Sequence, residues 1–172
     1  LKTISSIYST NDAYCALTSD KNVYCWGNRD SGGIKPPNLT AVLRNNILKV
    51  FSNKNTFIVI FSNQKKIRTW GAIEMPNSLL NLRNVKNVFS NDNTFILLYE
   101  EVEGSITKQK IKCFASGPKY ILNKNNIERL DNIKTIYSNS ESFIAVYGDE
   151  NRIEVCGNNN FLGELIQDKS NL

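Results

Sequence analysis

The chain has 172 residues, 41 % of them apolar and 22 % charged, a composition that excludes intrinsic disorder and leaves room for a buried core. Its net charge of +5 is spread over 15 Lys and six Arg without a dominant block, so it lacks the Arg-rich, aromatic-interleaved stripes that nucleic acid would require. The longest apolar run, residues 56–61, is of strand length and falls far short of the ~18 residues of a membrane-spanning helix. No membrane span is expected, and a chain that opens on Leu1 without a basic leader or apolar signal core reads as a piece of something longer.

One phrase returns four times: IYSTNDAYCAL from Ile7, VFSNKNTFIVI from Val50, VFSNDNTFILL from Val88 and IYSNSESFIAV from Ile136, spaced by 43, 38 and 48 residues. A recurrence of this length marks a repeat architecture, in which stacked units share the burial that no unit achieves alone. The units run approximately 1–44, 45–83, 84–131 and 132–172 within one repeat domain, 1–172.

Taken in chain order, each unit opens with a strand ending at the recurrent Ser: Ile4–Ser9, Ile47–Ser52, Val85–Ser90 and Ile133–Ser138. A polar turn follows, then a second strand rich in aromatic and β-branched residues, at 14–18, 57–61, 95–99 and 143–147. Asp/Asn/Ser/Gly turns at Ser19, Ser62 and Gly148 lead into third strands. Those strands end at Gly27, Gly71, Gly117 and Gly157, which suggests one recurrent backbone corner. Behind the corner comes a variable linker and an apolar-dotted stretch, NLTAVLRN from Asn38 or NSLLNLRN from Asn77, readable as an outer strand or one helical turn. Three or four short antiparallel strands per ~43 residues, with no ten-residue window of helical periodicity, predict an all-β, propeller-like fold of about four blades. The blades form either a closed small ring or an open arc. An open arc leaves faces and edges that call for self-association or packing on neighbouring domains.

Chemistry is sparse. With no His in the chain, Ser-His-Asp and Cys-His nucleophilic pairs and His-based metal sites are excluded, and no phosphate-binding loop or dinucleotide fingerprint is present. The acids fall mainly in turns and linkers. No enzyme activity, cofactor or metal is expected. Cys15 and Cys25 lie ten residues apart on the first hairpin and face each other if its turn centres on Asp20, which leaves open a cross-strand disulfide or burial as free thiols. Cys113 and Cys156 read as small buried hydrophobes, and no CxxC spacing suggests metal. Trp26 and Trp70 end third strands just before Gly, positions suited to packing between blades or, alternatively, to stacking on sugar. An Asn-x-Thr acceptor stands at Asn38.

The strand, Ser, polar turn, short strand, turn and Trp-Gly ending, carried by CALTSDKNVYCWGNRDSGG from Cys15 and VCGNNNFLGEL from Val155, resemble the regulator of chromosome condensation repeat. The likeness runs through the whole chain, but the family's usual His is Asn or another polar residue here. Ser116 and Cys156 stand where Trp would be. The IYSTNDAYCAL form is similar to divergent repeats of large secreted or surface proteins of host-associated bacteria. That resemblance implies a non-catalytic binding module of a secreted, cell-surface or toxin-associated protein with a protein or glycan partner; a cytoplasmic location stays open.

The third unit departs from the pattern. From second-strand aromatic to the Trp position the distance is 12 residues in unit one and 13 in units two and four, but 21 from Phe95 to Ser116. The insertion from Tyr99 reads as a lengthened hairpin turning at Gly104 and Ser105, with Glu101 facing Lys108. In the eukaryotic family an insertion of this kind forms a wedge on a small GTPase, so the resemblance implies an alternative role as a GTPase-engaging effector. The candidate partner-binding residues are therefore Glu100, Glu101, Lys108 and Lys110 on the hairpin. Asn53, Lys54, Asn55, Asn91, Asp92 and Asn93 in the polar turns join them, with the matching turns at Asn11 and Asn139 completing the face.

Overall fold

The structure, a computed structural model, describes residues 3–37, 46–63 and 65–158. Among them are four three-stranded antiparallel sheets, each made of three consecutive strands in sequence order. The first blade is β1 (Ile4–Ser9), β2 (Ala13–Thr18) and β3 (Val23–Gly27); the second is β4 (Ile47–Ser52), β5 (Thr56–Phe61) and β6 (Ile67–Gly71). The third is β7 (Val85–Ser90), β8 (Thr94–Glu103) and β9 (Ile106–Ala115), and the fourth β10 (Ile133–Ser138), β11 (Ser142–Tyr147) and β12 (Arg152–Gly157). The chain divides into two compact units, residues 1–85 and 86–172, each holding two blades. The stretch from Asn38, its acceptor Asn, and the end of the tail that follows Val155 lie outside the described residues. The stretch from Asn77 is helical, a 3-10 turn at Asn77–Leu79 that buries Leu79.

Alternation along each central strand gives a blade two faces, and both are apolar. In the first unit Ala13, Cys15, Leu17 and Val23 of the first blade pack on Val50, Phe57, Val59, Phe61 and Trp70 of the second. The second unit repeats this: Ile96, Ile111 and Cys113 of the third blade meet Ile136, Phe143, Ala145 and Cys156 of the fourth. In each case the back face of one blade covers the front face of the next, and the core is the joint between them. Fully burying one Phe such as Phe57 or Phe143 contributes roughly 2–3 kcal/mol. Backbone bonds pin the first joint at both ends, Asn11 N–H to Lys54 O at 2.9 Å and Ile47 N–H to Lys21 O at 3.1 Å.

The recurrent corner follows from a close approach. Gly27, Gly71 and Gly157 have φ of 110°, 120° and 146°, and each lies directly across from the first residue of its blade's central strand. A Cβ on Gly71 would stand 2.3 Å from Asn55 O, and one on Gly157 2.5 Å from Glu141 O. The same turn carbonyls accept the N–H of the residue after the corner: Asn28 N–H donates to Asp12 O, Ala72 N–H to Asn55 O and Asn158 N–H to Glu141 O.

The third blade corrects the sequence alignment. Phe95 pairs with Phe114 and Thr94 with Ala115, and it is Ser116 N–H that donates to Asn93 O, so Phe114 rather than Ser116 occupies the Trp position. Ala115, not Gly117, stands at the corner. Gly117 has an extended φ of −178°. The insertion is thus two residues shorter than the Trp-Gly pattern implied, because the apparent Ser-Gly match lies in the linker.

A Gly71→Ala substitution is expected to cost about 2 kcal/mol or more in unfolding free energy, since both the positive φ and the backbone contact oppose it. Gly117→Ala, whose Cβ would meet only Tyr120 ring atoms at 3.9 Å or more, is expected to stay within about 0.5 kcal/mol of wild type. Denaturant titration of the two variants checks the assignment; equal losses would return Gly117 to the corner.

Candidate functional site

The predicted residues fall at two places, and strand β8 separates them. Asn91, Asp92 and Asn93 form the turn before β8, whereas Glu100, Glu101, Lys108 and Lys110 lie at its far end. Nine residue steps of ~3.3 Å put roughly 30 Å between that turn and the hairpin tip, so the two lie at opposite ends of the third blade. Asn53, Lys54 and Asn55 form the equivalent turn of the second blade, in the first unit.

Asn53, Asn91 and Asn139 each hold the backbone of their own turn. Asn53 Oδ1 accepts the Asn55 N–H and Asn91 Oδ1 the Asn93 N–H, each at 3.1 Å, and Asn139 Oδ1 takes the Glu141 and Ser142 N–H groups at 2.9 and 2.7 Å. These are Asx turns, in which a short side chain replaces a backbone acceptor. The first blade has Thr10 at this position, its Oγ1 donating to Ser31 O at 2.9 Å. Asn91 is buried, and Asn53 Nδ2 is buried with no hydrogen-bond partner. The middle residue of each turn serves the joint: Asn11 N–H bonds Lys54 O, and Asp92 N–H bonds Ser140 O at 3.2 Å. Within each unit two turns are thereby brought side by side, with the Lys54 and Asn11 side chains exposed in the first. Asn55 and Asn93 contribute their carbonyls to the corner bonds.

The hairpin forms as the sequence predicts, with the turn at Gly104 (φ 64°) and Ser105 and Glu101 directly opposite Lys108. Central strands of the other blades have six residues and β8 has ten, so four rungs, from Glu100–Gln109 to Glu103–Ile106, extend past the blade. At ~3.4 Å per rung the projection is about 14 Å. Four of its charged side chains are paired within the chain. Lys108 Nζ binds Glu103 at 2.7 Å rather than its register partner Glu101, Glu100 pairs with Lys86 at 2.7 Å, and Lys110 with Asp131 at 2.5 Å. The Glu103 carboxyl is accordingly held below its ordinary value by the Lys108 hydrogen bond, and the Lys110 ammonium above its own by Asp131. Sequence reasoning missed Glu128, which anchors the base of the hairpin by accepting Cys113 N–H at 2.8 Å and Lys112 Nζ at 3.2 Å. Nothing in the spacing of Glu128 marks it. Two large apolar side chains remain exposed near the tip, Val102 and Ile106, on opposite faces of the ribbon.

The two Trp residues part company. Trp70 is buried, stacks on Phe57 at 5.6 Å and donates its Nε1–H to Gly32 O at 3.0 Å, which excludes it as a sugar platform. Trp26 makes the same stack with Tyr14 at 5.7 Å, but exposed. Cys15 and Cys25 are joined in a disulfide, and Cys113 and Cys156 are buried free thiols. Among the described residues no group of three or more His, Cys, Asp or Glu could hold a metal, and no helix is long and apolar enough to cross a membrane.

Burial pushes the Cys156 thiol up to about 12 from its ordinary 9.0, with Glu154 adding to the effect, and pushes Cys113 well above the same value. Both are neutral and unreactive in the fold. Because the unfolded chain ionises these thiols near pH 9, unfolding stability is fully present below that pH and declines as pH rises toward 12, by up to about 1.4 kcal/mol per pH unit per thiol. Urea titrations between pH 8 and pH 11 check this: a variant with both thiols replaced by Ala is expected to show a shallower decline, and identical slopes would refute it.

Residues 4–32 match the regulator of chromosome condensation (RCC1) repeat. No curated protein matches the chain in sequence. Among solved structures it is similar to the ectodomain of the receptor kinase CR4 from Physcomitrella patens, at 13 % identity over 91 % of this chain and 42 % of that one, with a TM-score of 0.62. The CRINKLY WD40 ectodomain of the Arabidopsis thaliana receptor kinase ACR4 gives 14 % identity, 92 % and 55 % coverage and a TM-score of 0.57. The structure of Kap60 bound to yeast RCC1 (Prp20) gives 14 %, 90 %, 43 % and 0.56. At such identities the likeness is one of fold, and the chain spans 42–55 % of the length of these structures.

Proposed function

We propose that this chain, built of regulator of chromosome condensation repeats on propeller blades, is a non-catalytic protein-interaction module that presents the β8–β9 hairpin to its partner within a larger secreted or surface protein. The observation that carries the reading is the four-rung extension of β8 and β9 past their blade, ending in exposed Val102 and Ile106. A rigid ribbon offers apolar contacts at low entropic cost, and loops and extensions on a rigid scaffold are where recognition concentrates. The similar yeast RCC1 (Prp20) is bound by Kap60, which supports partner binding by a propeller of this kind. The lack of His and the buried thiols support a non-catalytic role. The Cys15–Cys25 bridge supports an oxidising, extracellular setting, where disulfides persist.

The test is to replace residues 101–108 by Asn-Gly, which keeps the Glu100–Gln109 rung as the closing pair. Because the removed Lys108–Glu103 pair lies at the surface, the thermal midpoint is expected to move by no more than a few degrees. Partner capture is expected to fall at least tenfold. Undiminished capture by the trimmed protein would sink the reading. Engagement of a small GTPase would use the same hairpin, and accelerated nucleotide exchange that disappears on trimming identifies that class of partner.

A further inference from the structure

Antiparallel pairing fixes which backbone groups of a third strand point away from its sheet. In the second blade Phe61 N–H donates to Lys66 O, so the bonded pairs are Phe61–Lys66, Val59–Arg68 and Phe57–Trp70. Ile67, Thr69 and Gly71 therefore turn their N–H and C=O groups to the outer edge of β6, where the sheet ends. A groove of about 490 Å³ follows this edge, lined by Arg68, Thr69, Gly71, Glu74 and Leu80 among others. Arg68 Nη1 covers the Ile67 carbonyl at 2.7 Å and reaches Leu80 O at 3.3 Å. Among the described residues the outward groups of Thr69 and Gly71 meet no partner, and Arg68 pairs with no carboxylate, Glu74 included.

The other unit shows what such an edge accepts. Register makes Lys112 and Cys113 of the third blade the counterparts of Arg68 and Thr69. There the outward Cys113 N–H donates to the Glu128 carboxylate at 2.8 Å, and Lys112 Nζ binds the same carboxylate at 3.2 Å. Glu128 stands five residues before β10, and the residue five before β7 is Leu80. In the fourth blade Gly157, the counterpart of Gly71, exchanges both backbone bonds with Leu122, at 3.0 and 3.3 Å in an antiparallel bridge. A carboxylate and an extended backbone are thus each seen once on this edge, and the second blade has neither.

We propose that the groove along the outer edge of β6 binds an extended, acid-bearing peptide segment of a partner protein, its carboxylate on the Thr69 N–H and the Arg68 guanidinium and its backbone paired to Gly71. Antiparallel pairing, as in the Leu122–Gly157 bridge, puts the acid on the C-terminal side of the paired residue. A carboxylate held between a backbone N–H and a guanidinium makes charge-assisted bonds, roughly twice as strong as neutral ones. A strand added to a sheet edge takes its affinity from main-chain bonds and its selectivity from such side-chain contacts. Blades join through their faces, as Phe57 and Trp70 do, so this edge is not the surface on which a neighbouring blade stacks. The site is separate from the β8–β9 hairpin, which belongs to the other unit.

The probe is the blocked peptide acetyl-Thr-Leu-Thr-Glu-Thr-amide, added to the whole chain and followed by amide NMR. In the free chain the Thr69 and Gly71 amides are expected to exchange with solvent at least tenfold faster than those of Cys113 and Gly157, whose N–H groups are bonded. The peptide is expected to shift and protect both amides, and its Gln analogue to bind at least tenfold more weakly. Leu80→Glu gives the second blade the carboxylate that Glu128 gives the third, so it is expected to protect the Thr69 amide and to lower peptide affinity at least tenfold. Arg68→Glu serves as a second variant should Leu80→Glu perturb the fold by circular dichroism, and is expected to reverse the preference toward a peptide with Lys in place of Glu. Thr69 and Gly71 amides that are already protected in the free chain, or that millimolar peptide leaves unmoved, overturn the proposal. Equal affinity for the Glu and Gln peptides does the same.

Discussion

A three-stranded sheet whose central strand is apolar on both faces cannot stand alone, and everything else in this structure follows from meeting that demand. Strand β5 is the extreme case, with all six residues from Thr56 to Phe61 buried. Exposing them would forfeit roughly 2 kcal/mol for each large side chain, more than a lone blade could offset with its ladder of hydrogen bonds. Blades therefore stack, and the joint rather than the sheet is the unit of stability. The backbone bonds that fasten the joint, Asn11 to Lys54 and Lys21 to Ile47, come from the turns at the two ends of the central strand. That explains why turn chemistry is as repetitive as core chemistry here.

The same demand dictates the corner. A linker must leave the third strand and cross toward the next blade without obstructing the turn that carries the joint bond. It does so by running close over that turn: Gly71 comes within contact of Asn55, and Gly32 of the preceding linker presses on Phe57 while its carbonyl receives Trp70. The third blade shows what happens when the Gly is absent, for Ala115 occupies the corner without a positive φ and the Ser116–Asn93 bond is still made. The corner bond is thus the constant and Gly only its commonest solution.

The strands were legible because they rest on period-two alternation and β-branched content, and the first strand of every unit has the predicted ends. The register of the long hairpin was legible too, since Gly104 and Ser105 are the only residues there that suit a two-residue turn. Two things were not. Pairing in the third blade was misread because a Ser-Gly dipeptide in the linker imitates the Trp-Gly ending, and only the partner strand shows which residue faces Phe95. The polar turns read in sequence as a candidate contact surface, and the backbone role of Asn53, Asn91 and Asn139, which accept N–H groups of their own turns, is visible only in the structure. A repeated polar residue at a fixed position is more simply explained by the repeated backbone it holds than by a ligand.

That distinction bears on how the hairpin would recognise anything. Glu100, Glu103, Lys108 and Lys110 are each matched to a partner within the chain, Glu100 to Lys86 and Lys110 to Asp131 outside the ribbon itself. Exposed pairs of this kind contribute little to stability, but they fix the ribbon against its own blade and neutralise most of its charge locally. A partner drawn in by charge would have to break these pairs and would gain little in return. One that buries Val102 and Ile106 leaves them intact, and the ribbon then acts as a stiff arm for two apolar contacts. Recognition by this hairpin is therefore expected to depend weakly on salt and strongly on those two side chains, the reverse of what its charge-rich sequence suggests.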